Sequence, residues 1–409
     1  MILAPSLWQE TQFRLYLGSV SFSGAAMAMQ QLLITWLLVG ILMLPATQVG
    51  AIQALIGLPG IALMLWGGAV ADRTDPRGLL IQVYSLAWLF PIALFTAVQL
   101  DLLNIWSVSV FGLAMSTAIA YASPSQQAIL NRIAGSQVQR GVTLSTIASF
   151  LVQIIGLAIS GQMENVGVDT ILMIQSLSLV LAALAVRQLA AAEASPAIQQ
   201  KTIAVIFDGF RAVIEKRTIL HTMIITFVSG IFNYGAFAIA LPYIVKRIYE
   251  GDAIGFATMM VIFYTGATIS NVIQYWVMPL TRPGFWFLAM QLTRALLLYL
   301  IWLQPEWWIL LLVMFFWGLN MGITTNLSRA IVQETSDPKF LARLLSVFSL
   351  GMMGAIPIGA IAIGLLVGWF GEVDALIPSM FISIGLFAYG FIFTKVGDYR
   401  SPATTGTTQ

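Results

Sequence analysis

Twelve apolar stretches, each of 20 residues or more, follow one another at approximately 15–43, 48–71, 78–99, 104–125, 138–163, 168–190, 218–245, 253–279, 284–303, 307–329, 341–370 and 374–396. This repetition narrows the possible folds more than any other feature of the sequence. Twenty helical residues rise about 30 Å, the thickness of the hydrocarbon core of a bilayer. An unpaired backbone group in that medium costs several kcal/mol, so only helices and closed barrels can cross it. Barrel strands alternate apolar and polar positions over about 10 residues, whereas runs such as Leu32–Leu44 and Trp307–Gly318 are continuous. The segments therefore read as helices. Only 9% of the residues are charged, against roughly 25% in soluble domains, so the chain cannot clothe a water-facing surface of its size. The expected fold is an all-α membrane protein with twelve transmembrane helices.

Charge supports the count and gives an orientation. Lys and Arg gather on the cytoplasmic side of membrane proteins. With both termini placed there, sixteen of the nineteen basic residues fall at cytoplasmic loops or ends, from Arg14 and Arg73 to Lys395 and Arg400. Lys246 and Arg247 fall opposite, and Arg294 lies inside a span. The amino terminus lacks a basic region followed by a small-residue cleavage site, so no removable signal peptide is expected. The expected location is the inner, cytoplasmic membrane.

The two halves of the chain repeat. Arg140 is followed by Gly156 and Gly161, and Arg343 by Gly359 and Gly364 at the same distances, an offset of 203 residues. Gln127–Leu130 matches Arg329–Val332, and Arg14 matches Arg217. The expected domains are a six-helix bundle over 1–190, a cytoplasmic linker over 191–217 with an amphipathic stretch at Ile203–Ile214, a second six-helix bundle over 218–396, and a disordered cytoplasmic tail over 397–409. Parallel six-helix repeats are a transporter architecture that binds solute near the middle of the membrane.

Several chemistries are excluded. There is no cysteine, hence no disulfide framework or thiolate zinc site, and the single His221 has no second histidine near it. No nucleophile with a base, metal cluster or paired carboxylates lies within the spans, so no enzyme activity, cofactor or metal is expected. A net charge of +2 gives no reason to expect nucleic acid as a partner. The expected partners are the lipid bilayer and a small-molecule substrate, with the chain acting as a monomer.

After the second span comes Gly67–Gly78, in which Gly68, Asp72, Arg73 and Arg77 fall on the pattern Gly-x-x-x-Asp-Arg-x-Gly-Arg-Arg, with Asp75 and Pro76 as departures. This resembles the loop 2–3 signature of the major facilitator superfamily. Ala122–Leu130 and Gly351–Gly364 are similar to the drug and siderophore exporter branch, which includes macrolide efflux proteins and the enterobactin exporter; lysophospholipid transporters share similar stretches. The resemblance implies that Gly68, Asp72, Arg73 and Arg77 form a cytoplasmic gate that breaks as the two halves rock. Topology-setting charge alone is the plainer alternative. Leu157 stands where many antiporters have Gly-Pro, and the fourth helix lacks their buried arginine.

In that superfamily helices one, four, seven and ten line the central cavity. On them lie Gln30 and Gln31, Thr117 and Tyr121, Asn233 and Tyr234, and Asn320 and Thr324, with Gln30 and Asn233 at the 203-residue offset. Polar side chains in hydrocarbon need partners or water. They read either as a substrate cavity or as interhelical hydrogen bonds. Arg294 lies about 18 Å along its helix from the loop, at 1.5 Å per residue. It is either an anion contact or a structural anchor held by neighbours such as Gln291. Gly156, Gly161, Gly354, Pro357, Gly359 and Gly364 read as helix-packing positions. No acidic residue lies deep in a span, so the coupling ion stays open, with protons the candidate. The resulting reading is a permease that exports an amphipathic drug, macrolide or siderophore by alternating access. Import, lysophospholipid flipping and a non-transporting sensor or scaffold remain as alternatives.

Overall fold

The computed structural model describes residues 7–71, 75–191, 202–337 and 340–402. Among these residues every regular element is helical. Eleven helices are long and apolar enough to cross a membrane, and a shorter apolar helix, Leu376–Ile392, stands in the twelfth position. They are α1 (Thr11–Ile41), α2 (Ala46–Ala71), α3 (Pro76–Gln99), α4 (Ile105–Ala134), α5 (Val138–Gly161), α6 (Val168–Arg187), α7 (Arg217–Ile248), α8 (Ala253–Val277), α9 (Pro283–Trp302), α10 (Trp307–Thr335), α11 (Leu341–Phe370) and α12. The chain is thus an all-α, multi-pass membrane protein. Large side chains such as Tyr275, Trp276 and Phe381 stand exposed on the helices, as a surface facing lipid requires.

Local chemistry sets the helix ends. Asp75 caps α3 by accepting from the backbone N–H of Arg77 and Gly78 at 3.2 and 2.9 Å, with Pro76 at the first helical position. The missing N–H of proline is harmless there. Asn104 and Ser107 form a reciprocal capping box that starts α4. Pro91 cannot donate to Ala87, and α3 opens at Trp88. Next to that opening, the Trp88 carbonyl accepts from Ser176 Oγ of α6 at 3.0 Å. Helices α1 and α7 both widen into π turns, at Leu37–Ile41 and at Ala236–Ala240 and Ile244–Ile248.

Two compact units divide the chain. The first comprises Met1–Met43, Ile56–Thr202 and Asp252–Ala257; the second comprises Leu44–Leu55, Ile203–Gly251 and Thr258–Gln409. Each unit therefore contains the first turns of a helix whose remainder belongs to the other. Glycines shape the packing inside both. In the first unit, a Cβ at Gly156 would lie 2.7 Å from the Ala25 carbonyl oxygen of α1, and one at Gly161 would press on Ala257. In the second, Gly359 lies against the Ile231 carbonyl of α7, and a Cβ at Gly364 would lie 2.7 Å from the Ala46 carbonyl oxygen. Gly354 has only Phe227 within ordinary contact distance, and Pro357 is buried within α11.

The linker forms a helix, Thr202–Glu215. Its Val213 packs with Ile219, Val332, Leu344, Val347 and Phe348 in the second unit. Of the expected tail, Tyr399 donates its hydroxyl to Glu334 at 3.1 Å and Ser401 is buried, while 403–409 lie outside the described residues.

Candidate functional site

In the first unit, α1, α4 and α5 line a half-open cavity of about 240 Å³. Its polar lining is Ser23 and Gln31 of α1, Gln126 of α4, and Ser149 and Gln153 of α5. Helical spacing explains the set. Ser23, Met27 and Gln31 succeed one another four residues apart, as do Ser145, Ser149 and Gln153, so each row forms a stripe along one helix face. Gln126 Nε2 donates to Ser23 Oγ at 3.2 Å and to the Tyr84 hydroxyl at 2.7 Å, which ties α4 to α1 and α3. All the polar lining groups are neutral amides or hydroxyls, able to donate and accept hydrogen bonds with a solute that offers both.

Of the eight residues expected to line a substrate cavity, this one contains Gln31. Gln30 beside it is buried, and its Oε1 has no hydrogen-bond partner. Thr117 donates to the Leu113 carbonyl of its own helix at 2.7 Å, and Tyr121 is partly buried one turn further along α4. Sequence reasoning missed Gln126, Ser149 and Gln153. The serine–glutamine stripe on α5 was the signal that could have found the last two.

The second unit uses the corresponding positions differently. Asn233 Oδ1 accepts from Trp317 Nε1 at 2.7 Å, with Tyr234 beside it on α7. Asn320 and Thr324 are drawn into a cluster around Arg294, which is 3% exposed. Arg294 Nη1 donates to Ser229 Oγ of α7 and to Gln291 Oε1 at 3.1 Å. Its Nη2 donates to Asn320 Oδ1 at 3.2 Å and Thr324 Oγ1 at 3.4 Å, both on α10. Asn320 Nδ2 in turn donates to the Met290 carbonyl and to Thr293 Oγ1, both at 2.7 Å. One guanidinium thus joins α7, α9 and α10. No carboxylate pairs with it among the described residues. Arg294 Nε and Gln291 Nε2 are buried without partners.

Of the expected gate, Asp72 and Arg73 lie outside the described residues, and Gly68 falls within α2 where only the backbone path is described. Arg77 Nη2 donates to the Arg187 carbonyl at the end of α6 at 2.7 Å. His221 Nδ1 shares a hydrogen bond of 2.6 Å with the Tyr389 hydroxyl of α12. Among the described residues no three histidine or carboxylate side chains gather as a metal site would require.

At the far ends of α1 and α7 each unit has an aromatic side chain with a carboxylate close by, bonded directly in the first unit and through an arginine in the second. Trp36 Nε1 donates to Glu164 at 2.6 Å, and its ring stacks on Phe256 with centroids 5.7 Å apart. Arg247 pairs with Glu372 at 2.5 Å and lies 4.8 Å over the Tyr243 ring, whose hydroxyl donates to the Leu44 carbonyl at 2.5 Å. Phe256 and Leu44 belong to the two exchanged segments, so each aromatic holds the segment its unit receives from the other half of the sequence.

The model of one protein family, described as transmembrane secretion effector, matches residues 3–400. Among solved structures, a nucleoside transporter, NupG, in a mutant form superposes with a TM-score of 0.75 at 16% identity, covering 93% of this chain and 99% of the other. A bacterial homologue of the human lysosomal transporter Spinster, in an inward-facing and unoccupied conformation, gives 0.74 at 11% identity over 96% and 100% of the two chains. A POT family transporter in complex with a thioalcohol-conjugated peptide gives 0.70 at 12% identity over 93% and 95%. At these identities the likeness is one of fold. No curated protein matches the sequence.

Proposed function

The chain belongs to the transmembrane secretion effector family of the major facilitator superfamily, and from that premise we propose that it exports an amphipathic small molecule by alternating access. It is a membrane transporter of major facilitator fold; substrate and direction are the proposal. The observation that carries the reading is the 240 Å³ cavity with its neutral lining of Gln31, Gln126, Gln153, Ser23 and Ser149. A polar group buried in hydrocarbon without a partner is costly. Ser23, Gln126 and Ser149 of the cavity lining already bond within the protein, and the hydrogen-bonding capacity that the lining amides and hydroxyls still turn to the cavity is suited to water or a solute. Their mixture of donors and acceptors suits the polar end of an otherwise apolar molecule, such as a macrolide or another drug-like amphiphile. Secretion, the word in the family's description, supports the outward direction. The Asp72, Arg73 and Arg77 loop acts in this reading as the cytoplasmic gate, and a proton gradient supplies the drive.

Everted membrane vesicles test the proposal. A panel of fluorescent amphiphiles is offered, and accumulation is followed with and without a proton gradient. Accumulation that stops when the gradient is collapsed, and that falls about tenfold in the double variant Gln31→Leu, Gln153→Leu, supports export through this cavity. The tenfold figure corresponds to loss of one or two hydrogen bonds of about 1 kcal/mol each. Solute leaving the everted vesicles under the same gradient would reverse the direction, and unchanged accumulation in the double variant would remove the cavity assignment.

A further inference from the structure

Arg294 presents an imbalance that packing alone does not resolve. Its guanidinium is 3% exposed, far from any helix end, on a helix with no other charged residue. An ion in such a place is costly unless compensated. The compensation here is four neutral acceptors, Ser229, Gln291, Asn320 and Thr324, and no anion among the described residues. The hydrogen-bond inventory is also lopsided. All four acceptors serve Nη1 and Nη2, while Arg294 Nε and Gln291 Nε2 remain as buried donors with nothing to receive them. The Gln291 amide cannot be turned over to restore the balance, because that would set its N–H₂ against the Nη1 donor it now accepts from at 3.1 Å. What is missing is therefore an acceptor group with negative charge. An aromatic group lies near: Trp317, one turn before Asn320 on α10, packs edge-on to Phe237 and Phe263 with centroids 6.1 and 6.0 Å apart.

We propose that the Arg294 cluster is an oxyanion-binding site for an aromatic or otherwise apolar monoanion, typically a carboxylate. Its oxygens accept from Arg294 Nε and Gln291 Nε2. Charge-assisted bonds to a guanidinium are the strong ones in a low-dielectric setting. The site is closed in this structure, so an anion enters when α10 moves from α7, and binding favours that moved state. The proposal deepens the export reading by giving the substrate an acidic group, yet the binding site could exist without export.

The test uses the full chain in phosphatidylcholine nanodiscs, with empty discs as the blank. Calorimetric titration compares 1-naphthoate with its uncharged relative 1-naphthamide. The wild type is expected to bind the carboxylate at least about tenfold more tightly, the equivalent of one charged hydrogen bond. Arg294→Gln abolishes the preference, and Arg294→Lys, which keeps the charge, retains part of it. Circular dichroism and a single elution peak confirm that each variant is folded. Equal affinity for the two probes, no binding of naphthoate to the wild type, or an unchanged preference in Arg294→Gln would overturn the site. Repeating the titration with one third phosphatidylglycerol separates two sources of the oxyanion. Competition by the lipid assigns the site to a headgroup, and its absence to a soluble solute. The Gln31 and Gln153 variants keep the naphthoate preference whether or not the export reading holds, so failure of one proposal is distinguishable from failure of the other.

Discussion

The two units share a scaffold and differ in their chemistry. Gly156 and Gly161 in the first and Gly359 and Gly364 in the second occupy equivalent places, 203 residues apart, and make equivalent close approaches. At the same offset Arg294 corresponds to Pro91, Gln291 to Trp88, and Asn320 to Thr117. In the first unit Pro91 opens α3 and a serine of α6 bonds the neighbouring Trp88 carbonyl; the polar groups of α1, α4 and α5 face a cavity. In the second unit an arginine occupies the equivalent place and draws in Ser229, Asn320 and Thr324. Duplication preserved the backbone packing, because a neighbour held this close to a glycine, a carbonyl at Gly156, Gly359 and Gly364 and the Ala257 side chain at Gly161, tolerates no Cβ. Side chains facing inward were free to diverge, and they diverged into a neutral half and a cationic half.

The largest expected effect comes from breaking what the units share. Gly359→Val and Gly156→Val each force a branched side chain into backbone, Ile231 in one case and Ala25 in the other. Each should lower thermal stability by several degrees or abolish folded yield, since overpacking costs about 1–3 kcal/mol or more. Gly354→Ala, which meets only Phe227 at 3.8 Å, should leave stability unchanged. Unequal losses at the two paired glycines would break the symmetry.

Next comes the cationic half. Arg294→Leu leaves four buried acceptors without their donor, and each orphaned group costs about 1–3 kcal/mol before relaxation. A clear drop in the unfolding midpoint is expected, with Arg294→Lys intermediate. The matching change in the neutral half, Gln153→Leu, should alter stability by less than about 1 kcal/mol while impairing transport, because its partner is the cavity. If Gln153→Leu destabilises as much as Arg294→Leu, the contrast between the halves fails.

The smallest effect is expected at the far helix ends. Glu164→Gln and Glu372→Gln weaken the bonds to Trp36 and Arg247; Glu164 and Arg247 are exposed, and interactions with such groups are worth about 1 kcal/mol or less. Labelling rates of single cysteines at the starts of α2 and α8 should rise modestly in the corresponding variant. A large rise at one end alone would show that one tether dominates.

What could be read from the chain alone depended on range. The spans were legible because continuous apolar runs admit only helices, and the glycine repeat because its spacing is kept to the residue. Asp75 and Pro76, departures from the family pattern, are explained by helix capping, a rule legible from Asp-Pro alone. Ser149 and Gln153 were not identified because cavity-lining positions were taken from helix number rather than helix face, and Gln126 lies one residue past the expected end of the fourth span. The orphan donors at Arg294 and Gln291 could not be read at all. They depend on which groups distant in sequence come within reach in space: Ser229, 65 residues away, meets Nη1, and nothing meets Nε. The exchange of Leu44–Leu55 and Asp252–Ala257 between units was equally hidden, since nothing local marks which half a helix end will join.

The absence of cysteine allows one direct measurement. Gln153→Cys places a single thiol on the polar stripe of α5. A membrane-impermeant maleimide should label it in permeabilised cells, and a transported amphiphile should slow that labelling. A thiol as inert as one placed at the fully buried Ile225, or labelled at a rate no transported solute changes, would contradict the claim that this face meets water and substrate.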